Sequence, residues 1–336
     1  MGSWYSSEPW RKVEWEESTR NRLKTSVQNY TPIIDSVPRA RILLVGDAGA
    51  GKSSFFNSIN SVFCGSITAQ ANAGDGPTCQ TLKFRTYNVR EGKGGRPLSF
   101  LLCDTMRLEK TANGGVNTDD IENILKGYIP DGYQFNPTMP WSENGDQTHT
   151  PSLKERIHCL VFVVDAPTLP VLNSEEKRKK IIQIKEKANQ LEVPLMVLLT
   201  KVDKVCPHTG KDLKNVYWSN NLKEQIYKAS DFLGIHVSSV FPVKNYCSET
   251  ELDMRSDILL LAAMQKMLHL ADDFFANFVE DTDTEGIPSC SRQRGGQYGS
   301  WAKYRKLDNS NWLFVGGGIV WYLVLFYCLG MFLELI

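Results

Sequence analysis

The chain has 336 residues, of which 42 % are hydrophobic and 23 % charged, enough for one large globular domain or two small ones with real cores. Lys plus Arg and Asp plus Glu both number 38, so no net charge draws the chain to nucleic acid, and no nucleic-acid partner is expected. Eight cysteines are scattered without a Cys-x-x-Cys pair, which argues for buried free thiols in a reducing compartment and against a zinc site.

Residues 1–38 read as an N-terminal lead-in. Met1 to Ser7 has no apolar stretch of a secretory signal, and Gly2 with Ser6 fits the loose pattern for myristoylation. Glu14 to Asn29 reads as one helix, followed by turns at Pro32 and Pro38. From there strands and helices alternate. Arg41 to Val45 is a short strand, Ser53 to Cys64 a helix, and Leu82 to Val89 with Leu98 to Cys103 an antiparallel pair around a Gly-rich turn. Ile157 to Val164 is wholly apolar, as a buried parallel strand is. Glu175 to Leu191 is a Lys-rich helix whose charges read as a solvated face. Pro194 to Leu199 is the next strand, Leu222 to Leu233 a helix, Ile235 to Val243 a last strand, and Asp253 to Phe278 a long helix.

This order predicts a doubly wound α/β domain over 39–278 with a mostly parallel sheet of the P-loop GTPase type. Its ligand should lie at the C-terminal ends of the strands. Residues 279–311 are polar and read as a flexible linker. Trp312 to Leu333 is 22 residues without a charge, about 33 Å as a helix, which predicts one transmembrane helix. Lys303, Arg305 and Lys306 lie on the side expected to stay in the cytosol, so the expectation is a tail anchor. The domain then sits on the cytosolic face of a membrane, the endoplasmic reticulum favoured, and is cytoplasmic if the tail is not inserted.

The strongest signal is Gly46-Asp47-Ala48-Gly49-Ala50-Gly51-Lys52-Ser53, which fits GxxxxGK[ST] between a strand and a helix and continues into Ser54. Its backbone N–H groups and the helix N-terminus should cradle phosphates. Lys52 is expected on the β- and γ-phosphates, and the Ser53 hydroxyl on Mg²⁺. Thr200-Lys201-Val202-Asp203 follows a strand, where a base-reading loop belongs. Asp203 can accept from guanine N1–H and N2–H₂, which adenine does not offer, and the stem of Lys201 can lie on the base. GTP or GDP is therefore the expected ligand and an ATP-using enzyme the disfavoured one. Asp104, ending its strand, is the candidate Mg²⁺-side carboxylate. In Asp104-Thr105-Met106-Arg107, Arg107 stands where guanine-nucleotide proteins usually have glycine, and no glutamine follows to orient a water. The switch threonine, a further Mg²⁺ ligand, is Thr78 or Thr81. Thr78 is preferred because it leaves three residues before the strand at Leu82.

These motifs, with Ser54-Phe55-Phe56-Asn57-Ser58, the stretch Ile124-Leu125-Lys126-Gly127-Tyr128-Ile129-Pro130-Asp131-Gly132-Tyr133-Gln134-Phe135-Asn136-Pro137 and Ser152-Leu153-Lys154-Glu155-Arg156-Ile157-His158-Cys159, resemble the interferon-induced protein 44 family over about residues 39–278. The resemblance implies GTP binding and a part in interferon-induced antiviral responses. Longer members carry an additional N-terminal domain that a 38-residue lead-in cannot hold, and many lack the C-terminal hydrophobic segment. Two functions follow. One is a membrane-tethered guanine-nucleotide switch or weak GTPase, with a homodimer through the nucleotide face able to supply a missing catalytic group. The other is a catalytically inactive GTPase-like scaffold, which Arg107 favours.

Overall fold

The computed structural model describes residues 5–71, 83–108, 116–136, 141, 150–173 and 175–279. The expected linker beyond 279, the Trp312 to Leu333 segment and both switch threonine candidates, Thr78 and Thr81, lie outside them. In chain order the principal elements are α1 (Glu17–Gln28), β1 (Ala40–Gly46), α2 (Lys52–Cys64), β2 (Arg85–Arg90), β3 (Pro97–Asp104) and α3 (Thr118–Lys126). They continue with β4 (Cys159–Asp165), α4 (Glu175–Gln190), β5 (Leu195–Thr200), α5 (Pro207–Lys211), α6 (Asn220–Leu233), β6 (Val240–Pro242) and α7 (Met254–Val279).

The strands form one sheet in the order β2-β3-β1-β4-β5-β6. All neighbours are parallel except β2 and β3, which pair antiparallel as a hairpin at the edge. The order reverses at β1, so the chain leaves β1 toward β3 and later passes to β4 on its other side. Right-handed crossovers then put α2 on one face and α3, α4 and α6 on the other. The packing agrees: α2 and α7 touch each other and β1, α3 packs on α4, and α6 covers β5 and β6. The central strands are buried on both faces, and Ile42 to Val45 and Met196 to Leu199 have no exposed surface. That is why they read as unbroken apolar runs instead of alternating ones.

Three elements depart from the sequence reading. The strand expected over Ile235 to Val243 is only Val240–Pro242, preceded by a 3₁₀ turn over Val237–Ser239. The turn begins where the His236 ring accepts the Ser238 N–H, a local cap that competes with strand pairing. Helix α3 is not among the elements read from the sequence. Asn117 caps its first turn through Asp119 N–H, and Gly127 ends it at φ 90°. The charge run of α4 is not wholly solvated, because Lys177 is buried. The lead-in is also part of the core. Leu23 and Val27 of α1 are buried where α1 packs along α7. Arg20 Nε donates to the fully buried Asp257 of α7 at 2.6 Å. The described cysteines are free thiols, and Cys103, Cys159 and Cys206 are buried. Among the described residues no helix is long and apolar enough to cross a membrane.

Candidate functional site

Strand β1 runs straight into the Gly-rich loop, and α2 begins at its Lys. Two glycines there are required by geometry. Gly46 lies against β4, so that a Cβ would stand 2.2 Å from the Val163 carbonyl oxygen. Gly51 has φ 97°, the left-handed backbone that favours glycine and turns the chain into α2. Ala48 and Gly49 are exposed at the tip, while Ala50 is buried.

Lys52 is buried, and its Nζ donates to the Gly46 and Asp47 carbonyl oxygens at 3.0 Å each. Burial holds its pKa below the usual lysine value, against the pull of Asp104 and Asp47. The ammonium is therefore held over the loop and little hydrated, so an arriving anion meets a preorganised charge. Ser53 follows on the helix, and its Oγ donates to Asp104 Oδ2 at 2.7 Å. Asp104 ends β3, the neighbour of β1, and this pairing brings a carboxylate from a residue far along the chain to the start of α2. Half-buried Ser54 follows, its carbonyl taken by the Ser58 hydroxyl.

The second loop is tied to the first. Thr200 ends β5, is fully buried, and its Oγ1 donates to Ala50 O at 2.7 Å. Lys201 has φ 55°, a conformation few non-glycine residues take, and it turns the chain sharply at the strand end. Val202 is buried as an anchor, and half-buried Asp203 lies in the 3₁₀ turn Val202–Lys204. The structure thus gathers Gly46 to Ser54, Asp104, Thr200, Lys201 and Asp203 at the C-terminal ends of β1, β3 and β5, beside the point where the strand order reverses.

Four contributors were not singled out from sequence. Asp165, at the end of β4, holds Lys201 Nζ at 2.7 Å. Asn245, just after β6, donates from Nδ2 to Gly51 O at 3.0 Å. Lys177 of α4 pairs with the Asp47 side chain. Leu108, the residue after Arg107, is buried, and its N–H donates to Gly46 O at 3.1 Å. Asp165 and Asn245 had a readable signal, since both are polar residues at or just beyond an apolar strand's end. Lys177 had none, because one buried lysine in a helix of many is set apart only by tertiary packing. Among the described residues no cluster of three or more His, Cys, Asp or Glu could hold a metal on its own. Ser53 and Asp104 do offer the hard oxygen donors that suit Mg²⁺ shared with phosphates and water.

A strand, a glycine-rich loop with a buried lysine, a helix and a carboxylate on the adjacent strand give a doubly wound α/β domain with the P-loop arrangement. No family model matches the chain. The chain is 41 % identical to human interferon-induced protein 44-like over 265 residues, covering 78 % of this chain and 58 % of that protein. It is also 41 % identical to human interferon-induced protein 44 over 278 residues, covering 82 % and 61 %, and 37 % identical to the mouse protein of that name. Over its matched region the chain is similar to curated proteins named interferon-induced protein 44. It spans about three fifths of the length of these curated relatives. Among solved structures it is similar to a probable GTP-binding protein EngB at 15 % identity and TM-score 0.34, covering 61 % of this chain and 88 % of that one.

Proposed function

We propose that this chain binds GTP and GDP with Mg²⁺ and works as a guanine-nucleotide switch of the interferon response, with slow hydrolysis. The observation that carries the reading is the link between the two loops: Thr200 of the base-reading loop bonds Ala50 of the phosphate loop. One ligand with a base at one end and phosphates at the other fits this arrangement. Asp203 is then the acceptor for guanine N1–H and N2–H₂, with Lys201, steadied by Asp165, along the base. Ser53 and Asp104 would hold Mg²⁺, which when bound offsets phosphate charge. The interferon assignment draws on the names of the relatives.

Slow turnover is supported by the segment after Asp104. Arg107 occupies the place of a glycine hinge, and Leu108 is an apolar side chain packed inward, with no group to orient a water. The same observation favours the second reading, an inactive GTPase-like scaffold. A homodimer through the nucleotide face would supply the missing group. Membrane tethering through the uncharged run Trp312 to Leu333 belongs to the proposal, and carbonate extraction of the full chain tests it: release into the soluble fraction refutes it.

Calorimetric titration of GTP, GDP and ATP against the wild type and Lys52→Ala tests the binding reading. Tight guanine-nucleotide binding lost in Lys52→Ala is expected. Equal affinity in the variant would refute the loop's role.

A further inference from the structure

We propose that Lys177 of α4 is a positioning residue for the phosphate loop, acting by neutralising Asp47, and that phosphate affinity depends on that neutralisation. The inference rests on the reading of Gly46 to Ser53 as a phosphate cradle.

A loop that turns its N–H groups toward an anion gains nothing from a carboxylate of its own. Asp47 nevertheless stands at the loop's second position. Its Oδ2 accepts from Lys177 Nζ. Its Oδ1 is buried and has no hydrogen-bond partner among the described residues. Asp47 and Lys177 line one cavity between the loop and α4, walled by Val45, Phe162 and Ile181. An apolar wall strengthens the attraction within the pair and equally strengthens the repulsion an unpaired Asp47 would exert on a phosphate. Lys177 is 6 % exposed, whereas Glu175, Glu176, Arg178 and Lys179 on the same helix are exposed. The helix spends one of its charges inward, at the loop.

Position follows from charge. The Asp47 carbonyl oxygen is one of the two that hold Lys52 Nζ. Fixing the Asp47 side chain therefore fixes the residue whose backbone aims the phosphate-binding ammonium. Removing Lys177 would leave a half-buried carboxylate free to turn toward Lys52 and compete with the ligand for it.

The test is a double-mutant cycle in the full chain with Lys177→Met, which keeps the apolar stem, Asp47→Asn, and both together. Affinities for GTP, ATP and inorganic pyrophosphate are measured by calorimetry, beside the melting temperature without ligand. Lys177→Met should weaken every phosphate ligand that the wild type binds by about tenfold or more, equivalent to about 1.4 kcal/mol. Asp47→Asn and the double variant should stay within about threefold of wild type, because neighbouring sites are coupled and the offending charge is gone. Lys177→Arg should bind as the wild type does. Should Lys177→Met fail to fold, Lys177→Gln takes its place in the cycle, with the same tenfold weakening expected and unchanged affinity again overturning the proposal. Unchanged affinity in Lys177→Met, or a double variant as weak as the single one, overturns the proposal, since a packing role for the stem would not respond to Asp47. A wild type that prefers ATP refutes the guanine reading while the pair's effect stays readable. A wild type that binds none of the three refutes both.

Discussion

Acidification should weaken the fold through one side chain, His158. It lies just before β4 with no exposed surface, its ring against Phe274 and Phe275 of α7. Its Nδ1 accepts the Arg41 N–H of β1 at 2.9 Å, and its Nε2 donates to Leu153 O at 2.8 Å. Both roles require the neutral ring, and protonation would turn the acceptor into a second donor facing an N–H. Burial pushes the pKa down from 6.5 to about 4. The unfolded chain therefore binds this proton first as pH falls. The stability that neutral His158 confers is complete above pH 6.5, is lost progressively between 6.5 and about 4, and stops changing below that. The fall in pKa corresponds to about 3 kcal/mol. Urea unfolding between pH 7 and 4 is the assay, with His158→Asn as reference, because the Asn oxygen can accept from Arg41 without titrating. Other groups titrate in both proteins, so the difference isolates His158. The wild type should lose about 3 kcal/mol more than the variant across this interval. Parallel curves would refute the buried neutral imidazole.

Three further outcomes are expected. Asp257→Ala removes the buried carboxylate that Arg20 and the Tyr246 hydroxyl both bond at 2.6 Å, leaving Arg20 with Glu17 and the hydroxyl with Asp253 O, and should cost about 1–3 kcal/mol in urea unfolding, whereas Glu17→Gln, at the exposed partner of Arg20, should cost almost nothing. Thr200→Val keeps the shape of the side chain but leaves Ala50 O without its donor, and should cost about 1–3 kcal/mol of stability by the same assay and weaken nucleotide binding. Single-turnover phosphate release from GTP in dilute protein should run on the order of 10⁻³ s⁻¹ or slower. Fast turnover there would contradict the role given to Arg107 and Leu108.

Much of the scaffold was legible. Buried parallel strands leave continuous apolar runs, and β1, β4 and β5 were found within a residue or two for that reason. The phosphate loop was legible because its backbone demands glycine at fixed spacing, which Gly46 and Gly51 satisfy for two different steric reasons. β6 was overextended because Val237 is apolar enough for a strand, yet the cap at His236 turns the backbone first. Helix α3 was missed although Asn117, Asp119, Asp120 and Gly127 form a complete set of start and stop signals. The supports of the site were hidden for another reason. Asp165 and Asn245 are marked only by their place at strand ends and Lys177 by nothing local, and all three act on residues more than 30 positions away, a meeting that no local pattern encodes.

The central claim is that Asp203 selects guanine. Wild type and Asp203→Asn should be titrated with GTP, ATP and xanthosine triphosphate, whose base carries a carbonyl where guanine carries its amino group. Wild type should prefer GTP over ATP on the order of a hundredfold or more. In Asp203→Asn the GTP affinity should fall by about 1–3 kcal/mol. Affinity for xanthosine triphosphate should rise, because the new amide donates to the xanthine carbonyl. An Asp203→Asn protein that keeps its GTP affinity and gains none for xanthosine triphosphate would contradict the assignment.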